Sequence, residues 1–330
     1  MYRASVGITT SMKVSATSWI GENAETLGID GIWVGEDIGI GQETTVLIAD
    51  LLARTSKIAI GTGILPVAVH NIATIARASL TLQEIAAGRF HLGLGIGGIQ
   101  DLRKLGIAIK KPVSALRDAT DALRLLFAGK TVTIKSELFN LRSFSLNLSN
   151  PVNIPIVYGV RGPQMLKLAG EMADGVILSG PIKYIGDAIN TINKTAIRKG
   201  RRKQAVKKVA WLATIPTFNG GDESLAKRVV ALVVADTPLQ VLDQLDVDKQ
   251  RTDQIRKAVS KAGPKAGVEF VNQEFIDTFA ISGTKEHMVD RFELLHKIGA
   301  DEIVLGPPFS GAWREAMKEI FQEIHSRRET

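Results

Sequence analysis

The chain has no cysteine in 330 residues, which excludes a disulfide framework, a thiolate nucleophile and a thiolate metal site. It has no apolar run of eighteen residues and no charged-then-apolar leader. It is therefore read as neither membrane-spanning nor secreted, and a cytoplasmic location is expected. Histidine is scarce, and His70, His91, His287, His296 and His325 lack the spacing of metal ligands, so no metal is expected. Aromatic residues are missing from the densest basic run, residues 194–208, despite a formal net charge of +7. A run without stacking partners, at the end of a barrel opposite the ligand face, reads as a solubilising loop. No nucleic-acid partner is expected.

What is present is repetition. Length alone allows one large α/β barrel or two small domains. Apolar β-type runs occur at residues 5–9, 31–35, 57–63, 90–96, 154–158, 175–179, 209–216 and 302–306. Helical patterns fall between most of them, at 43–54, 72–86, 113–128, 163–172, 182–199 and 313–325. The strands are continuously apolar rather than alternating, as parallel strands covered on both faces should be. Eight such units predict an α/β fold, a TIM (β/α)8 barrel. Two segments break the rhythm. Residues 131–148, before the fifth strand, alternate like a hairpin; residues 237–279, before the eighth, are mostly polar and helical, with a turn at Gly263-Pro264. Each lacks a core of its own and is read as an insertion on a single domain spanning 1–330.

The most informative stretch is 155–179, which reads as strand, glycine-rich turn, helix and second strand. Pro163 suits a first helical turn, and the glycines of Gly159-Val160-Arg161-Gly162 let backbone amides approach a ligand. Helix-end amides, the macrodipole and Arg161 would favour a phosphate there; the other reading is a plain turn of an αβ barrel. The remaining strand ends carry Thr9-Thr10, Glu36-Asp37, Gly61-Thr62-Gly63-Ile64, Gly95-Ile96-Gly97-Gly98 and Ser179-Gly180. A rim so rich in glycine leaves room for a flat ring system, although each glycine alone is also explained by a tight turn.

These residues carry a resemblance. The chain resembles the luciferase-like flavin and deazaflavin barrels, most closely the coenzyme F420-dependent methylenetetrahydromethanopterin reductases. The match runs from Gly7 to the C-terminal helix. It rests on Gly28-Ile29-Asp30 with Trp33-Val34, on Ile60 to Ile64, on Gly88-Arg89 leading into Leu92 to Gly97, on Gly159 to Met165, on Ala173-Asp174-Gly175-Val176 and on Ile281-Ser282-Gly283-Thr284. The resemblance implies an F420-dependent oxidoreductase that passes a hydride between reduced deazaflavin and a C1-pterin or carbonyl-type substrate. It implies that Gly61, Thr62, Gly63, Ile64 and Leu65 back the ring, with a non-prolyl cis peptide at Gly63-Ile64. Gly97 and Gly98 would lie near the ring or its side chain, and Gly159, Val160, Arg161, Gly162, Pro163 and Gln164 would hold the phosphate, with Ser179 on the same rim. Similarity also implies a homodimer or higher homo-oligomer; residues 44–52 are more apolar than a solvent-facing helix needs, which packing on the barrel would also explain.

Three departures bear on the substrate. Thr9 stands where the reductases have an acid, Glu36-Asp37 where they have Asp-His, and Leu65-Pro66-Val67 where they are more polar. Glu36 and Asp37 become the acid–base candidates, with Thr9 beside them, because adjacent carboxylates repel and one should retain a proton. The alternatives are that Glu36 faces solvent or pairs with Arg77 or Lys104. His70 is placed to face the ring's edge or to cap the third helix. An FMN-dependent monooxygenase and a non-catalytic flavin- or deazaflavin-binding protein remain the competing functions.

Overall fold

The fold, taken from a computed structural model, is described for residues 1–39, 41–219, 223–245 and 247–329. In chain order the first elements are β1 Arg3–Thr9, α1 Val14–Asn23, β2 Gly31–Gly35, α2 Thr44–Arg54, β3 Ala59–Thr62, β4 Leu65–Pro66, α3 Ile72–Ile85 and β5 Phe90–Gly95. There follow α4 Ile99–Lys104, α5 Pro112–Phe127, β6 Val132–Lys135, β7 Asn140–Phe144, β8 Ile156–Gly159, α6 Pro163–Met172 and β9 Gly175–Leu178. The rest comprises α7 Ile182–Arg198, β10 Lys207–Pro216, α8 Glu223–Asp236, α9 Leu239–Leu242, α10 Lys249–Ala262, α11 Pro264–Gly267 and α12 Gln273–Phe279. The chain ends with β11 Ile281–Gly283, α13 Lys285–Lys297, β12 Glu302–Gly306 and α14 Trp313–Glu329.

The main sheet runs β11-β10-β12-β1-β2-β3-β5-β8-β9, and β9 also pairs with β10. Its eight long strands thus close into a parallel (β/α)8 barrel, as the alternation of strand and helix predicts. Register is set along continuous apolar runs, with Ile32 opposite Ile60 and Leu92 opposite Ile156. Residues 131–148 form the expected hairpin, with β6 antiparallel to β7. The short β4 beside β5 and β11 beside β10 extend the sheet beyond the eight expected strands.

By contact the chain divides into two compact units. One comprises Ser5–Ile177 with Thr191–Lys208, and it holds β2 to β8 and α1 to α6. Within it α2 buries Thr44, Leu47, Ile48, Leu51 and Leu52, leaving Val46 exposed. Packing inside the unit therefore accounts for the apolar stretch 44–52. The basic run is mostly exposed, as a solubilising segment should be, but three of its cations are tied to the fold. Arg201 donates to the carbonyls of Gly170 and Ala173, Lys199 pairs with Glu171, and Lys208 is buried and donates to the Lys203 carbonyl.

The other unit comprises Met1–Ala4, Leu178–Asn190 and Val209–Thr330. Here the 237–279 segment, polar in sequence, shares an apolar cluster with a helix outside it. Leu242, Leu245, Ile255, Val271, Phe275, Ile276 and Phe279 bury themselves against Ala226, Val230, Ala231 and Val234 of α8. The segment is polar on average, but its few large apolar side chains converge on one helix face. No helix among the described residues is long and apolar enough to cross a membrane.

Candidate active site

The site is built on the C-terminal ends of β1, β2, β3, β5 and β8, all in the first unit, where parallel barrels place their chemistry. Glu36 leaves the end of β2 and His70 lies on the turn just before α3. The His70 Nε2 atom sits 2.8 Å from each Glu36 carboxylate oxygen. The Thr44 hydroxyl, on the first residue of α2, donates to the same carboxylate at 2.9 Å. Both partners are mostly enclosed, with 24% of the His70 side chain and 12% of the Glu36 side chain exposed. The hydrogen bond to Glu36 holds the His70 imidazolium above the ordinary histidine value, against the opposing effect of burial. The nearby charge of Glu43 acts in the same direction.

These contacts settle three expectations about the carboxylates. Glu36 is paired with His70 rather than with Arg77 or Lys104, and Lys104 is engaged by Asp101 instead. His70 does not cap α3; the Asn71 side chain does, accepting from the Ala73 amide. Glu36 and Asp37 also do not share one locus. Asp37 turns back to β1, accepting from the Ser11 amide at 3.2 Å while its own amide donates to the buried Thr10 hydroxyl at 2.9 Å. Asp37 therefore ties two loops together. Thr9 is half-buried beside it and shares a hydrogen bond with the Ser11 hydroxyl.

The segment after β3 contains the expected non-prolyl cis peptide at Gly63-Ile64. Gly63 and Ile64 are the partly accessible members of this stretch, whereas Gly61, Thr62 and Leu65 are buried. Thr62 was expected beside a cofactor, but its hydroxyl is fully engaged, donating to the Gly93 carbonyl and accepting from the Gly93 amide, both at 2.7 Å. Gly61 makes room for Trp33, since a Cβ there would stand 2.7 Å from the indole ring. A second pair of glycines seats Ile64. A Cβ on Gly95 would come within 3.1 Å of Ile64 Cδ1, and one on Gly159 would collide with Ile64 Cγ2. Much of the glycine rim thus makes space for the chain's own side chains rather than for a ligand. Gly159→Ala is expected to push Ile64 out of its seat at a cost of about 1–3 kcal/mol, read as a lowered thermal midpoint. Trimming the clash with Ile64→Ala in the same chain should return part of the loss.

The turn after β8 is different. Gly162 has φ +81 and ψ 154 and forms the N-cap of α6, with Pro163 in the first turn. Apart from its chain neighbours, a Cβ on Gly162 would meet nothing within 4 Å, so the space above the helix end is open. Arg161, Pro163 and Gln164 are exposed around it, and Val160 is buried beneath. Gly97, with φ +101, packs under Ile38, and Gly98 caps the short α4. Ser179 follows β9 and belongs to the other unit. Two clefts lie away from this rim. One of about 520 Å³ sits at the N-terminal ends of β8 and β9, beside Arg124 and Arg201, and one of about 650 Å³ lies beside Lys183 and Arg291.

The chain belongs to the luciferase-like monooxygenase family, whose match covers residues 2–302. It is 30% identical over 307 residues to a 5,10-methylenetetrahydromethanopterin reductase of Archaeoglobus fulgidus, covering 91% of this chain and 92% of that protein. It is 29% identical over 165 residues to an F420-dependent glucose-6-phosphate dehydrogenase of Kineococcus radiotolerans, covering 47% and 49% of the two chains. Among solved structures, the coenzyme F420-dependent tetrahydromethanopterin reductase of Methanopyrus kandleri superposes with a TM-score of 0.85 at 23% identity, covering 98% of this chain and 97% of that one.

Proposed function

We propose that the chain is a coenzyme F420-dependent oxidoreductase acting on a C1-pterin of the methylenetetrahydromethanopterin type or a related small molecule, and that residues 1–330 work as one barrel domain. The observation that carries this reading is the 30% identity to a reductase of that name across 91% of the chain. The residues present fit the cofactor, because the Gly162 cradle is open and aligned with ten residues of helix whose N-terminal amides favour an anion. When bound, coenzyme F420 supplies a hydride from its reduced deazaflavin ring.

The chain's own part is binding, orientation and proton management. Gly162, Pro163 and Gln164 receive the anionic tail, and Arg161 adds a full positive charge at that end. Gly63 and Ile64 present the accessible surface against which a flat ring rests, held from behind by Gly95 and Gly159. Glu36 stands where a proton is needed. Hydride arrival at a methylene carbon bridging two nitrogens breaks one C–N bond, and the freed nitrogen takes up a proton. The hydroxyl of Thr9 cannot supply it at neutral pH.

Fluorescence titration with F420, followed by turnover with reduced F420 and methylenetetrahydromethanopterin, tests the reading. Saturable binding with hydride transfer supports it. Tight binding of FMN with oxygen consumption on reduction would replace it with a monooxygenase, and binding without turnover of any acceptor would make the chain a carrier. We also propose a homodimer. The proposal rests on the likeness to the reductases, and Val14 and Val46 are exposed apolar residues on the packed helices α1 and α2. A single species of monomer mass in sedimentation at micromolar concentration would refute it.

A further inference from the structure

The Glu36 carboxylate accepts more than a typical candidate acid should. His70 Nε2 reaches both of its oxygens and the Thr44 hydroxyl donates to one of them. All these donors are satisfied by an ionised carboxylate, while a proton placed on Glu36 would compete with them for the same lone pairs. The mobile proton of the pair therefore belongs on the imidazole. We propose that His70, carried on the turn before α3, is the positioning residue and proton store for Glu36, so that the site works at its full rate while His70 is charged. This rests on the oxidoreductase reading for its catalytic consequence but not for the pairing itself.

Three features separate this from an ordinary structural ion pair. A structural cation would serve equally well as Lys or Arg, neither of which discharges near neutrality; His does. His70 is partly exposed, so its proton can exchange with solvent or a bound ligand. It also comes from a different loop than Glu36, 34 residues on in the chain, so losing its charge loosens one loop from another. Two carboxylates act on His70, Glu36 after β2 and Glu43 at the N-cap of α2, and the Thr44 hydroxyl donates to Glu36. Hydrogen bonding to Glu36 raises the His70 proton affinity, so the charged state persists above the ordinary histidine value and is lost as pH rises through the higher one. Reduced deazaflavin would supply a proton along with its hydride, so a proton lent by the His70–Glu36 pair to the nitrogen freed by C–N cleavage would be replaced within the turnover.

The test has two arms. In the ligand-free protein, NMR titration of His70 should place it above free histidine, and Glu36→Gln should bring it back down. In turnover of reduced F420 with methylenetetrahydromethanopterin, the wild type should lose activity on the alkaline side with the His70 titration. His70→Gln, with native circular dichroism, should lower kcat about tenfold with KM within about twofold, and should abolish that alkaline limb. His70→Lys should keep Glu36 in place and shift the limb to much higher pH. A His70 that titrates like free histidine, or a His70→Lys enzyme with the wild-type rate and pH profile, would overturn the inference. A protein that neither binds F420 nor oxidises its reduced form would remove the cofactor reading instead, and the titration arm alone would then decide whether His70 stores the proton of Glu36.

Discussion

Replacing Glu36 with Gln should lower turnover by about 10²–10⁴-fold while changing F420 affinity by less than about threefold, because a positioned proton-transfer group contributes to the transition state and not to holding a ring. Gln keeps the size of the side chain and can still accept from Thr44 through its amide oxygen. It cannot hold a charged His70, so the site loses both its carboxylate and the cation that orients it. The folded protein should tolerate the change, since Glu36 lies at a partly open strand end rather than among the buried apolar side chains. Steady-state kinetics at pH 6 to 8, together with fluorescence titration of the cofactor, separates the two effects. Full turnover across that range would show that the proton comes from elsewhere, with water the first alternative. A large loss of affinity with unchanged turnover would instead place Glu36 at the cofactor.

The barrel was legible because parallel strands declare themselves twice. Runs such as Ile32 to Val34 and Leu92 to Leu94 are apolar without alternation, and helix starts such as Asn71 after β4 and Pro163 after β8 mark the units between strands. The hairpin was legible for the opposite reason, its alternation. What pattern alone did not reveal depends on distance in three dimensions. Nothing local in Leu65-Pro66-Val67-Ala68-Val69-His70 marks His70 as the partner of Glu36, since the pairing exists only because β2 and β3 lie side by side. The glycines posed a similar problem. Gly95 and Gly159 read as open ground for a ligand, yet across adjacent strands they frame Ile64, whereas Gly162, on the same turn, keeps open space. The polar average of 237–279 likewise concealed Ile255, Phe275, Ile276 and Phe279, which meet α8 only after folding. Asp37 shows the same limit at closest range, because two carboxylates adjacent in sequence point away from one another to different loops.

Gly162→Val should abolish measurable F420 binding, a loss of about 100-fold or more, while the barrel remains folded. Two effects act together. The backbone at φ +81 and ψ 154 lies in a region that is essentially reserved for glycine, and a β-branched residue there costs about 1–3 kcal/mol or forces the turn to another shape. Either outcome rotates the amides at the N-terminus of α6 away from the direction in which an anion would approach. The second effect is steric. Apart from its chain neighbours, a Cβ on Gly162 would meet nothing within 4 Å, so a valine side chain meets no obstacle from the rest of the fold and fills the volume the ligand needs. The cost to the fold is local, because Pro163 still starts the helix and Leu166, Leu168 and Ala169 still bury its inner face. Gly162→Ala separates the two effects, since it imposes nearly the same backbone penalty with far less bulk and should weaken binding by an intermediate factor. Arg161→Gln, which leaves the backbone alone, should reduce affinity more at low ionic strength than at high, as expected of an exposed charge acting on an anion. Native circular dichroism with unchanged F420 affinity in Gly162→Val would place the phosphate elsewhere on the barrel and leave Gly162 as no more than the turn that starts α6.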